Sequence, residues 1–300
     1  MNNITKNYFD NFHNIKDENG RQLVNVHWSY ASRISPTYGT LYVIHGYGGS
    51  PIEPCMKMPT KQALASGFDV VAIEGIDLSA TSGVEKDIKS MTLDRQKQAL
   101  DAGLRYAATI TNLNTAHKIA WAHSISCRAL AELIVDNANI REYFTEIVLN
   151  NPYFLIPPKV RALHDKMMKK DPSGHTWDAL TKKSSNIERN IENHTFRIPT
   201  CLYNLYIPLP PNWAGNENAR DLPRKIAYFV SKIRMYCVLG TDDNMADYNQ
   251  NRNLMQNLRI PHKQMISIRG ANHSFENALN QYQQFTKIII NSIMTHPTEK

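Results

Sequence analysis

The sequence predicts an α/β fold: a mostly parallel central sheet with helices on both faces, interrupted by one inserted segment. Three observations lead there. Short apolar runs of strand length recur along the chain, and several lack the alternation of a half-exposed strand. Segments with helical spacing of apolar residues separate them, as crossovers between parallel strands require. Between Asn151 and Pro223 this alternation stops, and nine of the fifteen prolines fall there. A regular βα unit does not tolerate that density, so the stretch is predicted to be a loop-rich insertion with short helices.

The elements follow in order. Met1 to Gly20 is polar and mixed in charge, and no element is predicted in it. Gln22 to Ser32 alternates apolar and polar residues and reads as an early strand. Thr40 to Ile44 is a buried strand ending at His45-Gly46, and Glu53 to Ser66 is a helix. Phe68 to Ile73 is a second buried strand, and Asp94 to Thr111 a helix carrying Leu100, Leu104, Tyr106, Ala107 and Ile110. Lys118 to Ala122 is a third strand, Arg128 to Val135 a helix, and Glu146 to Leu149 a fourth strand. After the insertion come a strand at Met235 to Leu239, a helix at Tyr248 to Leu258, a strand at Gln264 to Ile268 and a closing helix at Phe275 to Met294. Residues 1–150 and 231–300 therefore form the core, and 151–230 an inserted lid or cap.

Composition bounds the function classes. The chain has 300 residues, 42% hydrophobic and 20% charged, which suits one large globular domain with a modest insertion. No internal repeat or low-complexity tract is present. No segment has the length and apolarity of a bilayer span, and the N-terminus lacks the apolar stretch of a secretory signal, so a cytoplasmic protein is expected. Cys55, Cys127, Cys201 and Cys237 form no CxxC pair and read as buried free thiols rather than a disulfide framework or zinc site. Eleven histidines form no HExxH or HxH pattern, so no metal ligand and no cofactor are predicted.

The net charge of +7 is localised. Ile156 to Arg234 carries 14 Lys or Arg against 7 Asp or Glu, while the rest of the chain is balanced at 20 of each. A solvated basic surface would give this pattern; so would a face that meets an anionic partner. Nucleic acid is not the expected partner, because no recognition motif accompanies the charge and acidic residues are interspersed.

The chemistry-bearing residues follow strands. Ala122-His123-Ser124-Ile125-Ser126 lies between a strand and a helix, where a sharp turn thrusts a serine hydroxyl out at the sheet edge. Small residues two positions either side let strand and helix pack around that turn; here they are alanine and serine rather than glycine. The competing reading is a serine that merely caps a helix. The first buried strand ends in His45-Gly46-Tyr47-Gly48-Gly49-Ser50, whose glycines allow the close backbone approach of an oxyanion hole. The amides of Tyr47 and Ile125 are its natural donors, with His45, Gly46 and His123 placed to touch substrate. Asp242 and Asp243, in Gly240-Thr241-Asp242-Asp243-Asn244, are both candidates for the acid; either also suits a helix cap. His273, in Gly270-Ala271-Asn272-His273-Ser274, follows the last strand and would act as the base. Serine, aspartate and histidine each following a strand of one sheet, in that order, make a specific pattern where each piece alone does not.

On these residues the sequence resembles the α/β-hydrolases over nearly its whole length. His45-Gly46-Tyr47-Gly48-Gly49 is similar to their oxyanion loop, Ser124 stands at the nucleophile position, and His273 at the catalytic histidine. In that family the acid sits three residues after the glycine ending its strand, which selects Asp243. A narrower similarity links Ser124-Ile125-Ser126-Cys127-Arg128 and Gly270 to Asn277 to the myristoyl-acyl-carrier-protein thioesterases of luminous bacteria, whereas the His45-Gly46 loop is closer to ordinary esterases. The resemblance implies cleavage of a small-molecule acyl ester or thioester through an acyl-serine, and the narrower similarity implies a long-chain acyl thioester; the charge of the basic segment in turn suits an anionic acyl carrier as partner. A catalytically inactive binding protein on the same scaffold is the alternative.

Overall fold

The computed structural model describes residues 5, 8–31, 37–77, 79–82, 93–111, 115–154, 186–191, 194–199, 225, 228 and 233–296. The strands are β1 (Asn11–Lys16), β2 (Gln22–Ser29), β3 (Gly39–Ile44), β4 (Phe68–Gly75), β5 (His117–His123), β6 (Glu146–Asn150), β7 (Asn186–Ile191), β8 (His194–Pro199), β9 (Arg234–Gly240) and β10 (Lys263–Ile268). Eight of them form one sheet in the order β1-β2-β4-β3-β5-β6-β9-β10. From β4 to β10 every neighbouring pair is parallel, while β2 pairs antiparallel with both β1 and β4.

The pleat divides the apolar runs between two cores. Tyr42, Ile44, Val71, Ile73, Ala120, Ala122, Ile147 and Leu149 pack with helices α2 (Leu93–Ile110) and α3 (Ile125–Asp136). Their chain neighbours Leu41, Val43, Val70, Ala72, Ile119, Trp121 and Val148 pack against α1 (Pro54–Ala65) and the C-terminal helix Leu279–Thr295. Both sets are apolar because both faces are covered, and this removes the alternation from the central strands.

Helix α1 contains an interior proline, Pro59, which has no amide hydrogen for the carbonyl of Cys55 four residues back. Tyr282 of the C-terminal helix supplies the missing donor: its hydroxyl reaches the Cys55 carbonyl at 2.8 Å and accepts from Asn150 Nδ2 (2.7 Å) and Trp121 Nε1 (3.2 Å). One buried phenol thus joins α1, β5, β6 and the last helix. Across the sheet, the fully buried Glu74 of β4 accepts from Asn25 and His27 of β2 at 2.8 Å each, from Ser79 at 2.5 Å and from Thr81 at 2.8 Å.

The structure departs from the sequence expectation in places. β1 forms in the polar N-terminal stretch where no element is predicted, and the early strand stops at Ser29. A short helix, α4 (Ala138–Tyr143), capped by Asn137, follows α3. The closing helix begins at Leu279, because Phe275 takes a left-handed φ of 58° and a single 3-10 turn, Glu276–Ala278, intervenes. Among the described residues of the insertion, β7 and β8 form an antiparallel pair with Asn186 opposite Pro199 and Ile191 opposite His194, a hairpin where the sequence predicts loops and short helices. Isoleucines and threonine in NIERNI and HTFRIP favour strand, and Pro199 stands at a strand end, where a proline is tolerated. Leu202, Tyr203, Leu205, Tyr206 and Ile207, expected to line a lid, and Lys169, Lys170, Lys182 and Lys183 lie outside the described residues.

Cys55, Cys127 and Cys237 are buried free thiols, and Cys201 lies outside the described residues. Burial pushes the Cys237 thiol up to about 12 and that of Cys127 well above its usual value. Among the described residues, no helix is long and apolar enough to cross a membrane.

Candidate active site

Ser124 occupies the single residue between β5 and α3 with φ 56° and ψ −125°, a backbone conformation that costs a non-glycine residue on the order of 1–3 kcal/mol. The surroundings hold it there. Its amide donates to the Asn150 carbonyl at 3.0 Å, and its own carbonyl accepts from Cys127 and Tyr153 at 3.1 Å each. The glycine loop after β3 packs directly on the turn: a Cβ on Gly46 would lie 2.8 Å from the Ser124 Cβ, so only glycine fits. Gly49 donates to the Gly46 carbonyl at 3.2 Å, closing a turn in which Gly48 has φ 64°. Ile125 opens α3, so its amide is among the first-turn donors without a partner inside the helix, beside the serine.

Ser124, Asp243 and His273 follow β5, β9 and β10, and their loops meet at the C-terminal edge of the sheet. His273 Nε2 lies 2.8 Å from Ser124 Oγ, and His273 Nδ1 lies 2.8 Å from Asp243 Oδ2. Asp243 Oδ1 accepts from the amides of Met245 (2.8 Å) and Ala246 (2.9 Å), which fixes the carboxylate and leaves Oδ2 for the imidazole. The carboxylate requires a proton on Nδ1, so Nε2 carries the lone pair that faces the serine hydroxyl. The Asp243 side chain is 1% exposed and that of His273 16%, so the imidazole keeps the more open edge of the pair. Asp242, by contrast, is exposed and accepts from the Thr241 hydroxyl at 3.1 Å. The cap of the following helix, Tyr248–Asn257, is Asp247 rather than either aspartate.

The histidine loop is tied down at several points. Asn272 accepts from the Glu276 amide (3.1 Å), Asn277 donates to the Gly270 carbonyl (2.7 Å), and Phe275 is buried and stacked on Tyr282 at 4.5 Å. Asn151, directly after β6, joins this loop to the acid strand. Its Nδ2 donates to the carbonyls of His273 (2.8 Å) and Asn272 (3.2 Å), and its Oδ1 accepts from the Gly240 amide at 2.7 Å. It is buried with φ 40°. Nothing in the sequence singles it out: its partners stand 89 to 122 positions away, and the nearest cue is an Asn-Asn-Pro run at a strand end.

Of the residues expected to touch substrate, Gly46 lies against Ser124, and His45 is buried with Nδ1 2.7 Å from the Gly46 carbonyl. His123 is buried with its ring 4.9 Å from that of His273. The fold also gathers Glu53, Cys55 and His123, all buried, with one polar atom of each within 4.8 Å of the others, a donor set suited to a thiophilic cation.

No family model matches the sequence, and no curated protein matches it. Solved structures do. The esterase Est1E of Butyrivibrio proteoclasticus, bound to ferulic acid, superposes with a TM-score of 0.60 at 11% identity, covering 95% of this chain and 100% of its own. A monoacylglycerol lipase of Paleococcus ferrophilus gives 0.58 at 14% identity over 90% and 99%. A serine hydrolase without lid from Xanthomonas campestris gives 0.54 at 11% over 95% of each chain. The chain has the α/β-hydrolase fold.

Proposed function

We propose that this chain is a serine hydrolase that cleaves an ester or thioester of a carboxylic acid through an acyl-serine intermediate. The observation that carries this reading is the unbroken hydrogen-bonded chain from Ser124 through His273 to Asp243, on a turn held at a strained φ. Esterases and lipases among the structural neighbours support the same chemistry.

In the reading, His273 Nε2 takes the Ser124 proton as Oγ attacks the acyl carbon. Asp243 holds the imidazole in the Nδ1–H tautomer and stabilises the imidazolium. The amides of Tyr47 and Ile125 receive the developing oxyanion; a donor of this kind is worth about 3 kcal/mol of transition-state stabilisation. His273 then gives its proton to the departing alcohol or thiol. Water enters, loses a proton to the same nitrogen and releases the acid. The reading assigns His45, Gly46 and His123 to the acyl group, and gives segment 151–230, most of which lies outside the described residues, the role of a lid. This chemistry needs no cofactor. The cytoplasm is the compartment that three buried free thiols support.

The finer substrate is a carrier-bound acyl thioester. The +7 excess confined to Ile156 to Arg234 supports an anionic carrier as partner, with attraction screened over ~8 Å at physiological salt. The test is kcat/KM on p-nitrophenyl esters and acyl thioesters of graded chain length, with Ser124→Ala as control. Turnover that peaks at one acyl length and vanishes in the control is expected; turnover unchanged in the control overturns the reading.

A further inference from the structure

The nucleophile turn departs from its usual form at Ser126, where the second flanking glycine is replaced by serine. Ser126 is completely buried in the first turn of α3, yet its hydroxyl does not cap its own helix. It donates to the carbonyl of His45, the first residue of the glycine loop, at 2.5 Å. Its lone pair accepts from Gln96 Nε2 of α2 at 2.9 Å. Gln96 is itself buried and reaches this position only because Gly75, at the end of β4, has no side chain: a Cβ there would lie 2.5 Å from Gln96 Oε1.

A hydroxyl has one proton, so the two bonds fix the direction of the chain: amide of Gln96 to hydroxyl of Ser126 to carbonyl of His45. Linked donors of this kind polarise and strengthen one another in a dry interior. The carbonyl held at the end of the chain belongs to the His45–Gly46 peptide, and Tyr47 N–H is on the next one. Gly46, between them, is the residue pressed against the Ser124 Cβ. Fixing the His45 carbonyl therefore fixes the approach of the loop to the nucleophile. A glycine at position 126 would leave a buried amide and a buried carbonyl short of one partner each.

We propose that Ser126, oriented by Gln96, is a positioning residue that sets the oxyanion loop in this chain. The glycine found in the usual motif would here be a defect. The proposal rests on the reading of Ser124 and Tyr47 given above.

The test compares wild type with Ser126→Gly, Ser126→Ala, Gln96→Met and Ser124→Ala on one p-nitrophenyl ester. It also measures inhibition by a trifluoromethyl ketone, whose hemiketal oxyanion needs the hole, and the pH profile of kcat/KM. Both Ser126 variants are expected to lower kcat about 10- to 100-fold with KM within about 2-fold, and to weaken the ketone by a matching factor. Gln96→Met is expected to act in the same direction and less. The pH profile keeps its midpoint, because the His273–Asp243 pair is untouched. Wild-type kcat and ketone affinity in Ser126→Gly would overturn the proposal. So would a kcat loss in Gln96→Met and Ser126→Ala that leaves ketone affinity unchanged. Full activity in Ser124→Ala would instead overturn the reading of the site, whatever the Ser126 variants do.

Discussion

Asp243 and Asp242 carry the same carboxyl group and differ only in their neighbours, and the neighbours favour Asp243 in the proposed triad. Asp243 is buried, bound by two amides and aimed at His273, while Asp242 faces solvent. Asp243→Asn is therefore expected to lower kcat by roughly 10⁴-fold, since an amide presents the wrong partner to Nδ1–H, with Asp242→Asn within a few-fold of wild type. The reverse ranking in folded, purified variants would move the acid. Asn151→Ala removes three hydrogen bonds, one buried and two part-buried, that join the His273 loop to the end of β9. Its expected signature is a fall in kcat at nearly constant KM together with a loss of about 2–3 kcal/mol of unfolding free energy, read by urea titration. Unchanged kcat would reduce Asn151 to a structural strut. Ser124 and His273 are legible in the sequence because each is a reactive residue next to a strand end, and Asp243 is one of two acids so placed. The contacts of Asn151 and Gln96 and the role proposed for Ser126 are not, because they depend on partners 30 to 122 positions away.

At the scale of elements, the buried runs identify the parallel strands, since covering both faces imposes one uniform composition. β1 escapes the same logic. It is an edge strand, NFHNIK, partly exposed along its length, and its polar positions hide its period. The antiparallel β2 is fastened to β4 through Glu74. Burial alone would raise that carboxyl, but hydrogen bonds and charge from His27, with Ser79 and Asn25, outweigh it and hold the carboxyl well below its usual value. A depressed folded-state value means stability that is fully present at neutral pH and is lost as pH falls below the ordinary 4.5 of a free glutamate. Glu74→Gln is expected to destabilise the protein at pH 7 by about 3 kcal/mol and to flatten the acid limb of its stability curve. An equal loss for both proteins between pH 6 and pH 3.5 in urea unfolding would contradict this. Tyr282→Phe strips the donor from the carbonyl that Pro59 leaves open, with an expected loss of about 1–3 kcal/mol. Reverting Pro59→Ala in the same chain should restore part of that loss.

For the whole molecule, the strand order of the sheet brings three loops far apart in sequence to one edge, and the sequence reveals the ingredients of that edge more fully than those of the insertion. Proline density marks the stretch expected to be inserted but says little about its shape: two of its segments pair as the β7–β8 hairpin where loops and short helices were expected. Its charge makes a separate prediction. If the basic excess steers an anionic carrier, kcat/KM on carrier-bound thioesters falls more steeply with salt than on neutral esters, and charge reversal at Lys169, Lys170, Lys182 and Lys183 removes the difference. Parallel salt responses in both proteins would leave a solvated surface. The central claim, that Ser124 is the acylated nucleophile, is tested most directly by covalent labelling with diisopropyl fluorophosphate and intact-mass analysis. The account predicts a single adduct per chain, mapped to the peptide containing Ser124, forming in step with the loss of esterase activity and absent from Ser124→Ala. Labelling at another residue, or full ester turnover in a completely labelled protein, would contradict it.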